Sequence, residues 1–200
     1  MIKVGLDFDN TLIDYDELFY SIALEKGLIP VQIDKTKIAV RKYLKDNGKE
    51  NIFTLLQGEV YGLHIKRASQ SYGMMQSLKI LKENSIEFII ISHKTLHPYS
   101  GPKYDLHKAA MSWLEKNEFF DQNGLNFRKE NVFFEITIEN KIKRIDDSGL
   151  TYYIDDLTKI LKMINSSINR IHFNPNSEDQ RIEGIINMKD WEDLPEILDI

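Results

Sequence analysis

The sequence predicts an α/β protein: a doubly wound parallel sheet with helices on both faces, interrupted near its start by a helical insertion. Three observations predict it. Short apolar runs bounded by polar residues recur at 2–6, 86–91, 132–136, 151–154 and 168–173. From the second run onward, segments of helical periodicity separate them, the alternation that builds parallel sheets. The stretch from residue 14 to about residue 72 holds helical periodicity and loops but no strand-like run.

The first run, Ile2-Lys3-Val4-Gly5-Leu6, is short, apolar and followed at once by polar residues, as a buried parallel strand should be. Asp14 with Glu17 three places on has capping-box spacing. After it Tyr15, Leu18, Phe19, Ile22 and Ala23 form an apolar helical stripe. Gly27 closes that helix, and Pro30 keeps it from resuming. Asp34 opens a second helix (Ile38, Val40, Tyr43, Leu44) that stops at Asn47-Gly48, and a third covers about residues 51–60. Helical register returns over 74–83, in Leu106, Ala109, Ala110, Trp113 and Leu114, and over 138–147, 157–164 and 191–198.

Two hundred residues, 42% of them hydrophobic, are enough to bury a full core. The net charge of −5 is spread without a basic stripe, which argues against nucleic acid as a partner. The absence of cysteine removes disulfides, thiolate metal sites and cysteine nucleophiles. No stretch reaches the length of a membrane span, and no basic segment leads into a long apolar one at the start. A soluble, cytoplasmic protein without membrane partners is expected.

Chemistry concentrates at the strand ends. Ligands of an open parallel sheet bind outside the carboxyl ends of its strands. The first strand ends in Asp7-Phe8-Asp9-Asn10-Thr11, the second in Ser92 and the fourth in Asp155-Asp156, while Lys141 lies in the first turn of the helix after the third. Asp7 and Asp9, at i and i+2, project to the same side of the strand. Like charges held close resist joint ionisation, so such a pair calls for a cation or for one protonated acid. A lysine in a first helical turn opposes the helix dipole and points to an anion nearby.

These residues resemble the four motifs of the haloacid dehalogenase superfamily of phosphohydrolases. Asp7-Phe8-Asp9-Asn10-Thr11 matches the first motif, Phe88-Ile89-Ile90-Ile91-Ser92 the second, Lys141 the third and Tyr152-Tyr153-Ile154-Asp155-Asp156 the fourth. Lys143 lies about 200° around the helix from Lys141, so the two cannot both serve the site. The resemblance implies a three-layer Rossmann-like core over residues 1–13 and 73–200, with a small helical cap over 14–72.

It also implies an activity: Mg²⁺-dependent hydrolysis of a small phosphorylated metabolite, a sugar phosphate or nucleotide, through an aspartyl-phosphate. Asp7 is then the nucleophile, and Asp9 the acid and base. Ser92, Lys141, Thr11 and His93 contact the phosphate. Asp7, Asp155, Asp156 and the backbone carbonyl of Asp9 form the metal set. Members that displace halide need no proton on the leaving group and usually lack the second acid, so Asp9 argues for phosphate. Tyr20, Arg41, Arg67, His93, Lys94 and Lys103 are candidates to reach the substrate. The rival reading is a protein that binds phosphate ligands on the same fold without significant turnover.

Overall fold

Leu6 and Val4 are wholly buried, which fixes the first strand at the centre of the fold rather than at its edge. The computed structural model describes residues 2–175 and 182–200. Its strands are β1 Lys3–Leu6, β2 Ile13–Asp14, β3 Ser69–Gln70, β4 Glu87–His93, β5 Val132–Glu135, β6 Tyr152–Asp155, β7 Asn169–Phe173 and β8 Ile185–Met188. Its α-helices are α1 Asp16–Glu25, α2 Lys37–Asp46, α3 Glu50–Gly58, α4 Met74–Glu83, α5 Leu106–Lys116, α6 Ile138–Asp147, α7 Thr158–Leu161 and α8 Leu194–Ile197. No helix among the described residues is long and apolar enough to cross a membrane.

The chain divides into two compact units, one of Met1–Ile13, Gln70–Lys94 and Glu118–Ile200, the other of Asp14–Ser69 and Thr95–Asn117. The first unit holds a six-stranded sheet in the order β5-β4-β1-β6-β7-β8. Every neighbouring pair in it runs parallel. Taken in chain order, these six strands lie 3-2-1-4-5-6, so the winding reverses between β1 and β6. A crevice opens at the carboxyl ends of two strands related in that way.

Packing on one face of this sheet depends on Gly5. Its partner across the ladder is Tyr153, and a Cβ at Gly5 would lie 2.4 Å from Leu150 Cδ1 and 2.6 Å from Tyr153 Cδ2. The missing side chain lets the buried Tyr153 ring lie against β1, and its hydroxyl donates to the Ile91 carbonyl on β4 at 2.7 Å. Ile89, Ile91, Ile145, Leu150, Ile160, Leu161, Ile164 and Ile168 form the core around that ring, drawing α6 and α7 onto the sheet. Elsewhere in this unit Ser77 of α4 donates to the Trp191 carbonyl at 2.6 Å. The Trp191 indole donates in turn to the Thr11 carbonyl at 3.2 Å.

The second unit is helical. Tyr15, Phe19, Phe53 and Tyr61 pack edge-on and stacked at its centre. Asp14, expected to cap the first helix, accepts from the Asp16 amide at 2.8 Å, and α1 starts at Asp16. The chain after α3 continues as a π-helix, Glu59–Leu63. Residues 95–117 belong to this unit, whereas the sequence reading placed them with the sheet. Trp113 Nε1 donates to the Ala68 carbonyl at 3.0 Å. Gly62 approaches Tyr104 so closely that a Cβ would sit 2.5 Å from the tyrosine Cβ. An apolar stripe such as that of α5 reads the same whichever surface covers it.

The sheet has one more strand than the five apolar runs indicate. β8 is a four-residue edge strand, Ile-Ile-Asn-Met, with only Met188 buried. Its pairing with β7 supplies what its own sequence lacks. The terminal helix expected over 191–198 is a 3₁₀ turn, Trp191–Asp193, leading into the short α8.

Gly5→Ala should destabilise the protein by about 1–3 kcal/mol, the usual range for forcing an extra methyl into a packed core. Urea denaturation followed by tryptophan fluorescence reads this directly. A variant with unchanged midpoint would show that the Tyr153 ring does not depend on the gap at Gly5.

Candidate active site

The ladder between β1 and β6 carries one bond past the strand: the Asp7 amide donates to the Ile154 carbonyl at 2.9 Å. That bond sets Asp7 beside Asp155, at the crevice where the winding reverses. The chain then turns sharply. The Leu12 and Ile13 amides both donate to the Phe8 carbonyl, and Asn10 takes a left-handed φ of 57°. Across the crevice Asp155 Oδ1 accepts from the Leu157 amide at 2.8 Å, which holds the loop after β6 in a tight turn.

Lys141 joins the two strands. Thr137 caps α6 by accepting from the Asn140 amide, so the first turn of that helix is fixed and Lys141 stands at the end of it. Its Nζ donates to Asp7 Oδ1 and to Asp155 Oδ2, each at 2.6 Å. All three side chains are buried, Asp155 completely. Lys143 points away and pairs with Asp147 on the surface of the same helix. Of the two lysines, only Lys141 reaches the carboxylates.

Asp156 completes the acidic cluster. Asn10 Nδ2 donates to its Oδ2 at 3.1 Å, and His172 Nε2 lies 3.1 Å from its carbonyl oxygen. Asp7, Asp155 and Asp156 each present a carboxylate oxygen within 4.8 Å of the others, a set that could hold a metal ion. One ammonium facing three carboxylates leaves the cluster strongly negative. Burial pushes the Asp7 carboxyl up to about 7, with Lys141 opposing and Asp155 adding to the rise. Burial, then the charges of Asp7 and Asp155, push Asp156 up to about 8. Lys141 is opposed by burial but held protonated by Asp7 and Asp155, and its pKa is raised. Clustered hard oxygen donors suit a hard divalent cation.

A second buried lysine serves the other acid. Lys94 Nζ donates to both carboxylate oxygens of Asp9, at 2.9 and 2.8 Å. Its ammonium stands 5.3 Å from the Phe8 ring centroid. Ser92 is buried near the end of β4, and the following His93 places Nε2 3.1 Å from the Ile136 carbonyl oxygen. Thr11, expected to contact phosphate, is wholly buried, and its Oγ1 finds no hydrogen-bond partner among the described residues. In this arrangement Thr11 belongs to the interior of the turn, anchored through its carbonyl to Trp191. Within the helical unit, Tyr20 donates to the Val31 carbonyl, Arg67 pairs with Glu25 and Arg41 with Glu50.

Three supporting contacts escape sequence reasoning: Lys94 on Asp9, Asn10 on Asp156, and His172 behind the same loop. Asn10 and Lys94 lie beside motif residues, but a spacing says nothing about which carboxylate each meets. His172 is placed by register alone, opposite Asp155 in the β6–β7 ladder.

No family model matches the sequence, and no curated protein matches it. Solved structures do resemble it in fold. A HAD-superfamily hydrolase of subfamily IA, variant 1, from Geobacter sulfurreducens superposes with a TM-score of 0.58 at 10% identity, over 99% of this chain and 96% of that one. A HAD-superfamily hydrolase from Ehrlichia chaffeensis gives 0.57 at 16% identity, over 98% and 95%. The L-2-haloacid dehalogenase from Xanthobacter autotrophicus gives 0.54 at 12% identity, over 100% and 99%. The chain has the haloacid dehalogenase (HAD) fold, and its similar structures include both hydrolases named only as such and dehalogenases.

The raised carboxyls set a pH dependence. Asp7 and Asp156 start from 3.8 in the unfolded chain and reach about 7 and 8 when folded. Between roughly pH 4 and 8 the folded state therefore holds more protons, and these two groups withdraw stability as pH rises. A divalent cation held by these acids would replace the lost protons, so the rise in melting temperature on adding Mg²⁺ to chelator-treated protein should be small at pH 5 and larger at pH 8.5. Equal shifts at both values would contradict the charge balance described here.

Proposed function

We propose that this HAD-fold protein is a Mg²⁺-dependent phosphohydrolase acting on a small phosphorylated metabolite through an aspartyl-phosphate on Asp7. The observation that carries the reading is the pair of acids two residues apart, each with its own buried lysine: Asp7 held by Lys141, Asp9 held by Lys94.

Lys141 engages Oδ1 of Asp7, which leaves Oδ2 for attack on phosphorus. A carboxylate nucleophile splits a difficult hydrolysis into two easier displacements. Lys141 and Ser92 bind the phosphoryl oxygens, positioning charge that is already present on them. Asp7, Asp155, Asp156 and the Asp9 carbonyl would hold the cation, which would supply positive charge against the carboxylates and the phosphate. Asp9 gives a proton to the departing alcohol oxygen, and in the second half takes one from the water that attacks the phospho-enzyme. Halide needs no proton to leave, so a second acid has work only when the leaving atom is oxygen. On this ground we favour phosphate ester hydrolysis over dehalogenation. The helical segment is proposed to act as a cap that selects the leaving group, as lids do in enzymes that complete their sites by closure.

Purified protein should release phosphate from an aryl phosphate when Mg²⁺ is present and lose that activity on chelation. Asp7→Asn should lose essentially all turnover with an unchanged circular dichroism spectrum. A folded Asp7→Asn protein turning over at the normal rate would refute the nucleophile. No phosphate release from a panel of phosphorylated metabolites would favour the binding-only reading.

Asp9→Asn separates proton transfer from attack. General acid catalysis is worth about 10²–10⁴-fold, and it matters most for alcohols that leave poorly. The variant should lose that factor with an alkyl phosphate and much less with a nitrophenyl phosphate. Equal losses would assign Asp9 to shaping the site rather than moving a proton.

A further inference from the structure

We infer that Lys94 is a positioning residue for Asp9, holding its carboxylate in the one orientation that serves the leaving-group oxygen. The inference rests on the phosphohydrolase reading above and assigns a task that neither the nucleophile nor the cation set accounts for.

The geometry is that of a clamp. The Lys94 ammonium reaches both Asp9 oxygens, at 2.9 and 2.8 Å, so turning the carboxylate about its last torsion breaks at least one bond. The Lys94 side chain is 3% exposed and that of Asp9 25%. The lysine is thus enclosed, while the acid keeps an open side. An acid beside it offsets part of the cost of burying the ammonium, and when Asp9 is protonated on one oxygen the other still accepts from Lys94. Its backbone is fixed as well: the Lys94 amide donates to the Glu135 carbonyl at 2.8 Å, continuing the β4–β5 pairing past the end of β4. The carbon stem brings Nζ to 5.3 Å from the Phe8 ring centroid, and that ring packs edge-on against Phe134. A rigid sheet edge therefore holds the lysine, and the lysine holds the acid.

Terminal carboxylate torsions are broad and soft when nothing restrains them. Asp9 stands past the end of β1 in an isolated bridge with Ile13, and backbone pairing of that kind does not by itself orient its side chain. Misplacing a catalytic group by about 1 Å can cost about 100-fold in rate. An acid that must meet the leaving oxygen, then the attacking water, gains most from such restraint.

The test compares wild type, Lys94→Met, Lys94→Arg, Asp9→Asn and the Lys94→Met/Asp9→Asn double variant on an alkyl phosphate and on nitrophenyl phosphate. Crystal structures of wild type and Lys94→Met accompany the kinetics. Lys94→Met should lose about 10- to 100-fold in kcat with the alkyl phosphate, and its loss there should exceed its loss with the aryl ester by about tenfold. Lys94→Arg, which can also grip both oxygens, should recover part of it. The double variant should be no slower than Asp9→Asn alone, and Asp9 in the Lys94→Met crystal should be rotated or split between rotamers. Equal losses on both esters, additive losses in the double variant, or an unmoved Asp9 carboxylate would overturn the inference. If wild type hydrolyses neither ester, the phosphohydrolase reading fails, and the crystal comparison alone decides the clamp. An unmoved Asp9 then overturns it, and a displaced one upholds it.

Discussion

A single ammonium between two buried carboxylates organises this molecule. Lys141 donates to Asp7 and Asp155 at 2.6 Å each, and these two acids end neighbouring strands at the point where the sheet reverses its winding. Without the lysine, two carboxylates would face each other away from water. Breaking a buried pair by removing one partner typically costs about 3–5 kcal/mol. The arrangement holds because the sheet dictates it. β1 and β6 pair in register, Thr137 fixes the start of α6, and the lysine has one place to go. Burial first, and then the neighbouring carboxylates, raise the proton affinity of Asp7 and Asp156. The three acids of the cluster, Asp7, Asp155 and Asp156, form a set that could hold a metal ion.

The packing beneath the site ties its strands together. Tyr153 lies buried on β6, opposite Gly5, with its hydroxyl tied to the β4 carbonyl of Ile91. Its ring stands 5.7 Å from Lys141 Nζ. One aromatic side chain thereby spans the three strands that carry Asp7, Ser92 and Asp155 and flanks the lysine as well. Burial raises the Tyr153 hydroxyl well above its usual pKa, and the neighbouring Asp155 and Asp7 charges add to the rise. It remains a neutral structural donor throughout the ordinary pH range. Lys94 plays a parallel part on the other side of β1, where no ladder restrains Asp9.

The sequence made the sheet and the acidic cluster legible because both follow local rules. Buried parallel strands are short apolar runs, and ligand groups gather where such runs end, so Asp7 and Asp155 could be read from position, while the choice of Lys141 over Lys143 needed the structure. The edge strand β8 was not legible, since half-exposed Ile-Ile-Asn-Met gains strand character only from β7 beside it. Helix α5 shows a related limit: amphipathicity reveals that one face is covered, not which unit covers it. The grip of Lys94 on Asp9 joins residues 85 apart in sequence, and no periodicity encodes such a contact.

The central claim is that Asp7 attacks phosphorus, and it is tested most directly by trapping the covalent species. Protein turning over an aryl phosphate with Mg²⁺ should be quenched in acid, digested and examined by mass spectrometry. The account predicts one added phosphoryl group on the peptide that carries Asp7, lost in Asp7→Asn and increased when Asp9→Asn slows attack by water. A phosphoryl group on any other residue, or steady turnover with none on that peptide, would contradict it.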